Sequence, residues 1–364
     1  MQQNTFDWSQ YSGNLKWIPE RTIFLCTHGS HAYGTALPSS DHDVRGVAIA
    51  PREYYLGGLH RFDQVVCNAP DLTVFCLKKF VSLASQCNPN VIEILFVDES
   101  DRLQVSKYGE RLLAMRQMFL TRRVKHTFSG YAASQLKRID THYRWIKTPP
   151  LAQPSRTEFG LPERSLVPHD QLAAAESAIR QKMDSWSANF LDDLPRDIRE
   201  SILQKMSSHL AELEISSNSE LWQGAARTLG FSDNFIYLLD MERRYSGKLR
   251  EWNNYQTWKA TRNPARAELE AKHGYDTKHA MHLVRLIRMC REILETGKVI
   301  VKRPDADELL AIRGGAWTYE QLRDWASAED SKLEEAAKTS ALPKSPDIEA
   351  IDRDCVEIMS EAIS

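Results

Sequence analysis

Long apolar runs are missing from this 364-residue sequence, and so is an excess of charge of either sign. Its longest apolar stretches, such as residues 22–26, fall far short of the roughly 20 residues that span a bilayer. The N-terminus lacks the basic start and apolar stretch of a secretory signal. The formal net charge of −2 argues against a protein that coats nucleic acid by charge alone, but it leaves room for a local basic surface. We therefore expect no membrane partner.

Paired cysteines and several familiar catalytic motifs are also absent. The six cysteines show no CxxC spacing, and most have apolar neighbours. This pattern argues against a disulfide framework or a zinc site and predicts reduced, buried thiols in a cytoplasmic protein. The sequence contains no HExxH, GxxxxGK[ST] or GxGxxG motif, so the zinc-hydrolase, P-loop ATPase and dinucleotide-binding classes lose support.

The periodicity of the apolar residues predicts an α+β fold, and the length is enough for two domains. Short strands are expected at residues 22–26, 43–49, 62–67 and 71–75, with helices at 77–84 and 91–96. Long helices are expected at residues 107–119, 127–145, 171–189, 194–213, 234–272 and 276–295. The change of pattern predicts a mixed α and β domain over residues 1–105, a helical domain over 106–320, and a polar acidic tail over 321–364, loosely packed in part.

The stretch from residue 26 to 47, CTHGSHAYGTALPSSDHDVRGV, contains the first candidate site residues. Gly29 and Ser30 follow a predicted strand. Glycine lets the backbone come close to a ligand, and the following amides and the Ser30 hydroxyl can bind phosphate oxygens. A Gly-Ser pair is equally common in a simple turn, so this feature is informative only in combination with others.

Two aspartates, Asp41 and Asp43, lead into the next predicted strand. In an extended segment, residues two apart project to the same face, so both carboxylates can enter one pocket. Converging carboxylates repel unless a cation joins them, and hard oxygen ligands favour Mg²⁺ or Mn²⁺. Arg45 follows with the same period of two, either to contact phosphate or to form a structural ion pair.

This ordered set resembles the signature of the nucleotidyltransferases of the DNA polymerase β superfamily. The stretch GSHAYGTALPSSDHDVRGV is similar to one branch of it, the nucleotidyltransferases associated with RNA repair and often found with RNA ligases. The stretches NPNVIEILF, HYRWIKTPP and GYDTKHAMHLVRLIRM extend the resemblance to about residue 320. The resemblance implies that residues 1–105 form a polymerase-β-like catalytic domain and that the helical domain over 106–320 completes the site. It also implies a third carboxylate on a later strand, for which Asp71 is our choice and Asp63 the competitor.

The predicted helix at residues 276–295 aligns Lys278, His282 and Arg285 on one stripe, away from its apolar face. Such a stripe is usually a solvent-exposed surface. The resemblance supplies the alternative, in which these residues bind the triphosphate or an RNA phosphate opposite the metal site. Arg266, in the preceding connection, either adds a phosphate contact or belongs to a capped loop.

The resemblance implies a metal-dependent enzyme that moves a nucleoside monophosphate from ATP or another nucleoside triphosphate to an acceptor hydroxyl. Asp41, Asp43 and Asp71 would hold the metal ions, and Gly29 and Ser30 the phosphates. The implied acceptor is an RNA 3′ end, for instance that of a transfer RNA. Two alternatives stay open: AMPylation of a protein, and a nucleotide-binding regulator that keeps the fold without the chemistry.

Overall fold

The structure of the protein, a computed structural model, describes residues 5–165, 167–191 and 218–364. The chain divides into two compact units. One unit comprises Met1–Thr148 together with Asn263–Ser364, and the other comprises Pro149–Arg262. These limits differ from the predicted boundaries at residues 105 and 320. The assignment of catalytic and helical domains by function stays a prediction, but all the predicted site residues lie in the first unit.

The first unit contains a mixed sheet, to which the described residues contribute five strands. In spatial order the strands run β3-β4-β2-β1-β5; β2 and β4 are parallel, and the other neighbours are antiparallel. Four strands were predicted, and β5 was missed because it is short and no residue in it is fully buried. The bounds are β1 Thr22–His28, β2 Asp43–Ala48, β3 Gln64–Asn68, β4 Asp71–Cys76 and β5 Arg102–Val105.

The helices confirm the predicted α+β class. Up to residue 147 they are α1 Ile18–Arg21, α2 Gly29–Tyr33, α3 Glu53–Leu56, α4 Leu77–Ser85, α5 Pro89–Leu95, α6 Lys107–Ala114 and α7 Val124–Lys147. The second unit contains α8 His169–Leu191, α9 Asn218–Thr228 and α10 Asp233–Thr261. The first unit resumes with α11 Pro264–His273, α12 Thr277–Thr296, α13 Ala306–Arg313, α14 Tyr319–Thr339 and α15 Ile348–Ile363.

The sequence explains where several of these helices begin and end. Pro264 separates α10 from α11, and the Asn263 side chain caps α11 by accepting from the Arg266 amide at 3.3 Å. Helix α12 ends at Gly297, which adopts the left-handed conformation (φ +68°) that favours glycine. The helix predicted at residues 194–213 lies outside the described residues.

Both faces of the sheet are covered within the first unit. Phe24 and Val47 join a large core shared with α4, α5, α7 and α12. On the other face, Leu25, Val44 and Leu72 form a smaller core covered by aromatic side chains from the N-terminal segment. The second unit has a core of its own around α8, α9 and α10. Among the residues described, no helix combines the length and the apolar character needed to cross a bilayer.

The structure corrects the expectation of a loosely packed acidic tail. Helices α14 and α15 occupy most of residues 321–364 and bury Leu322, Leu333, Ile351 and Ile358. The Arg122 side chain holds the connection between these helices through the carbonyl oxygens of Ser340 and Leu342, among other contacts. The apolar residues stand at helical spacing, but the surrounding acidic residues hide the pattern in the overall composition.

Candidate active site

The backbone at the end of β1 lies against a carboxylate of β2. Gly29 begins α2 with a φ of +67°, a conformation that favours glycine. A Cβ atom added to Gly29 would lie 2.2 Å from Oδ2 of Asp43. Gly29 is therefore required twice, for its conformation and for its close approach to the carboxylate. Ser30 follows it in α2, partly exposed.

The parallel pairing of β2 with β4 brings two predicted carboxylates together. Val44 pairs with Leu72 in register, so Asp43 and Asp71 begin neighbouring strands at the same edge of the sheet. Arg45 joins them, donating through Nη2 to Oδ1 of Asp43 at 3.0 Å and through Nη1 to Oδ1 of Asp71 at 2.9 Å. The ion-pair alternative for Arg45 is therefore what the structure contains.

The electrostatics of Asp43 differ from those of an ordinary surface carboxylate. Burial raises the pKa of Asp43, and the Arg45 guanidinium opposes that rise. The Asp71 carboxyl interacts directly with the Asp43 carboxyl and raises the pKa of Asp43 further. Two carboxyl groups in direct contact cannot both ionise without cost. The pair therefore offers oxygen ligands whose repulsion a bound cation would relieve.

The other two candidate aspartates, Asp41 and Asp63, lie outside the pair formed by Asp43 and Asp71. Asp41 is exposed in the loop just before β2, two residues from Asp43. Asp63 is the rival candidate for the third carboxylate, but its carbonyl oxygen accepts from the amide of Cys76 at 2.8 Å, at the opposite end of β4 from Asp71. At about 3.3 Å per residue, β4 separates Asp63 from the pair by roughly 16 Å. Of the two candidates, the strand pairing brings only Asp71 to Asp43.

Lys278 is close enough to Asp43 for their charges to interact, and Arg266 and Arg313 are its basic neighbours. Lys278, in α12, is half-buried. Burial and the charges of Arg266 and Arg313 lower its pKa, against the opposing charges of Asp276 and Asp43. The cation cluster formed by Lys278, Arg266 and Arg313 makes no ion pair with any residue that the structure describes. Nε of Arg313 is buried without a hydrogen-bond partner among those residues. Adjacent cations without a direct ion pair among the described residues form a site suited to a polyanion.

The prediction that Lys278, His282 and Arg285 form an exposed basic stripe is wrong in two positions. Arg285 is only 5% exposed and donates to Glu93 at 2.5 Å. Burial, together with the charges of Arg285 and Lys278, lowers the pKa of His282 well below its usual value, so the imidazole is neutral near pH 7. Of the three residues, only Lys278 is a partly exposed cation without a direct ion pair among the described residues.

Glu93 explains why Arg285 faces inward, and sequence reasoning missed it. Its carboxylate is fully buried in α5, where it accepts from Arg285 and, at 2.5 Å, from the Tyr33 hydroxyl of α2. The Arg285 guanidinium also lies 3.7 Å from the centre of the Tyr33 ring. These contacts support α2, whose first residues are Gly29 and Ser30. A glutamate within the apolar run VIEIL was the available signal, because a buried carboxylate needs a cation.

The comparison with protein families agrees with this arrangement. Residues 6–148 match the model of the RNA repair pathway DNA polymerase beta family. The matched segment contains the whole sheet with Gly29, Asp43 and Asp71, and it confirms the resemblance to the RNA-repair branch of the polymerase-β-like nucleotidyltransferases. The match ends before the stretch at residues 274–289, where the resemblance stays a prediction. No curated protein and no solved structure matches the chain.

Proposed function

We propose that this protein, whose residues 6–148 match the RNA-repair branch of the polymerase-β-like nucleotidyltransferases, is a metal-dependent enzyme. It would transfer a nucleoside monophosphate from a nucleoside triphosphate to an RNA 3′ end. The observation that carries the proposal is the neighbouring position of Asp43 and Asp71 at the start of two parallel strands, beside Gly29. A binding protein without catalytic chemistry has no need of two interacting carboxyl groups there.

The residues present fit a hard divalent cation. Asp43 and Asp71 supply carboxylate oxygens, Asp41 stands two residues before Asp43, and the raised pKa of Asp43 reflects burial without enough positive charge nearby. When bound, Mg²⁺ or Mn²⁺ lowers the pKa of an attacking hydroxyl and stabilises the charge on phosphate oxygens. Arg45, which bridges Asp43 and Asp71, is the side chain that would yield its place to the cation.

The other residues of the site would bind the triphosphate. Gly29 and Ser30 offer backbone amides and a hydroxyl to the phosphates, and the cation cluster of Lys278, Arg266 and Arg313 offers the compensating charge. The acceptor hydroxyl loses its proton to water, and its oxygen forms an ester bond to the α-phosphorus as the bond between the α- and β-phosphates breaks and pyrophosphate leaves. His282 and Arg285 have no phosphate-binding role in this account.

The net charge and the cysteines bear on the proposed RNA acceptor and on the proposed cytoplasmic location. A single 3′ end requires few phosphate contacts, which is compatible with a net charge of −2. All six cysteines are buried thiols outside any disulfide, as suits a cytoplasmic enzyme.

The test is a transfer assay with each of the four α-labelled nucleoside triphosphates and Mg²⁺. The purified protein is incubated alone, with total cell RNA, or with cell protein extract, beside the double variant Asp41→Ala/Asp43→Ala. Label that enters RNA only with the unchanged protein supports the proposal and identifies the base. Label that enters protein would replace the RNA acceptor by a protein hydroxyl, and no transfer despite nucleotide binding would leave a regulator.

A further inference from the structure

A second group of potential metal ligands lies in the first unit, apart from the paired aspartates. His142 comes from α7, Glu270 from α11, and Asp276 caps the N-terminus of α12. One ligand atom from each of these three residues lies within 4.8 Å of the others. The group joins α7 to two consecutive helices, α11 and α12, which begin more than a hundred residues after α7 ends.

The separations between these atoms suit a shared ion. Nδ1 of His142 lies 3.7 Å from Oε1 of Glu270 and 3.8 Å from Oδ2 of Asp276. Hydrogen bonds from nitrogen to oxygen measure about 2.7–3.2 Å. Two ligand atoms held tetrahedrally at about 2.0–2.2 Å from Zn²⁺ lie roughly 3.3–3.6 Å apart. The observed separations are thus close to those of ligands around one ion and longer than direct hydrogen bonds.

Burial and charge point the same way. Glu270 and Asp276 are each 2% exposed, so two carboxylates lie inside the unit a short distance apart. A divalent cation placed between these atoms would have two carboxylate oxygens and one imidazole nitrogen as ligands. The combination of one imidazole and two carboxylates suits Zn²⁺ and other borderline transition ions better than Mg²⁺, which prefers oxygen alone.

His279 and Trp145 provide a second layer around the ligands. The Asp276 carboxylate is held by the His279 amide at 3.0 Å and by Nδ1 of the His279 ring at 2.6 Å. The His142 ring stacks on Trp145, with ring centres 5.7 Å apart. Metal sites typically fix their ligands through such outer contacts.

We propose that His142, Glu270 and Asp276 bind one divalent transition-metal ion, with Zn²⁺ as the representative, at a site distinct from the paired aspartates of β2 and β4. Three protein ligands leave a fourth position for water. The ion joins α7, α11 and α12, and so stabilises the helices that carry Arg266 and Lys278. The proposal does not depend on nucleotidyl transfer.

The test uses the full-length protein stripped with a chelator and titrated with Zn²⁺ by calorimetry, with metal content measured after gel filtration. We expect one Zn²⁺ per chain to stay bound through gel filtration, besides any that the Asp43 and Asp71 carboxylates take up during the titration, and a higher melting temperature when it is bound. The isosteric variants Glu270→Gln and Asp276→Asn should each weaken Zn²⁺ binding by more than about 100-fold, while His279→Ala weakens it by about 10- to 100-fold. The double variant Asp43→Asn/Asp71→Asn should keep one Zn²⁺ per chain through gel filtration, as the unchanged protein does.

Several results would overturn the proposal. The ion would have to be assigned to the paired aspartates if Glu270→Gln and Asp276→Asn bound Zn²⁺ as tightly as the unchanged protein. Loss of the ion only in Asp43→Asn/Asp71→Asn would lead to the same assignment. If the stripped protein took up no Zn²⁺, the cluster would be a structural group of imidazolium and carboxylates. X-ray absorption by the loaded, unchanged protein decides the matter if a variant fails to fold. A nitrogen ligand at about 2.0–2.1 Å with the scattering of an imidazole supports the site, and a shell of oxygen alone contradicts it.

Discussion

Gly29 lies so close to Asp43 that a Cβ atom on it would come within 2.2 Å of the carboxylate oxygen Oδ2. We expect Gly29→Ala to displace the Asp43 carboxylate or α2, and to reduce nucleotidyl transfer by at least about 100-fold, as small misplacements at active sites do. Transfer is measured with labelled nucleoside triphosphate at saturating Mg²⁺.

Gly34→Ala provides a matched control for that substitution. Gly34 also has a positive φ of +74°, but its added Cβ would meet nothing closer than the Ala306 Cβ at 3.8 Å. Both variants carry the backbone strain of roughly 1–2 kcal/mol, whereas only Gly29→Ala meets the carboxylate. Equal activities of the two variants would show that the contact with Asp43 has no catalytic importance.

The buried pair of Arg285 and Glu93 predicts a stability defect. Arg285→Met leaves the Glu93 carboxylate inside the protein without its cation, and it should lower the free energy of unfolding by about 3–5 kcal/mol. Adding Glu93→Gln removes the uncompensated charge and should restore part of that loss. Urea unfolding monitored by circular dichroism measures both effects. Strict additivity of the two single substitutions would contradict the pairing.

The cation cluster predicts opposite effects on stability and binding. Burial and the charges of Arg266 and Arg313 disfavour the charged form of Lys278 more than Asp276 and Asp43 favour it, so Lys278→Met should leave the ligand-free protein as stable as before or more stable. The same substitution should weaken binding of a nucleoside triphosphate by about tenfold or more, through loss of a charged contact. Lys298→Met, an exposed lysine after the end of α12, serves as the control. Unchanged affinity in Lys278→Met would remove the cluster from the substrate site.

We expect the free energy of unfolding to decrease in mild acid because of the buried imidazole of His28. Burial lowers its pKa to about 4, against the partial opposition of Glu93. The unfolded chain takes up the proton near pH 6.5, and the folded protein only near pH 4. The stability that the neutral imidazole confers is therefore complete above about pH 6.5 and decreases as the pH falls towards 4, by a few kcal/mol in all.

The matched variant His28→Gln isolates this contribution from those of other titrating groups. Its free energy of unfolding should depend less steeply on pH between 6.5 and 4 than that of the unchanged protein, with the difference measured by urea unfolding at several pH values. Parallel curves for the two proteins would mean that His28 is protonated equally in the folded and unfolded states.

The sequence was most informative where function and secondary structure depend on local patterns. The apolar runs predicted four of the strands, and glycine marked the end of α12. The helix predicted at residues 234–272 is instead two helices, because Pro264 separates α10 from α11. The Gly-Ser pair and Asp43 could be selected because their spacing follows the strands that carry them. The α+β class followed from the same periodicities.

The features that could not be predicted from the sequence depend on contacts between segments that are distant along the chain. The helical wheel assigned Arg285 to an exposed stripe, since nothing within α12 shows that Glu93 lies buried opposite it. Arg313 was missed because its proximity to Lys278 arises only from the packing of α13 near α12. The choice between Asp71 and Asp63 likewise depended on the parallel pairing of β2 and β4, which strand prediction alone does not supply.

The most direct measurement compares transfer of labelled nucleotide by three isosteric variants, Asp43→Asn, Asp71→Asn and Asp63→Asn, in the presence of Mg²⁺. Asp43 and Asp71 begin neighbouring parallel strands, and Asp63 lies beside the far end of β4. The account predicts that the first two variants lose at least about three orders of magnitude in rate, some 4 kcal/mol of transition-state stabilisation, while Asp63→Asn keeps the full rate. Full activity in Asp71→Asn, or a loss confined to Asp63→Asn, would contradict it.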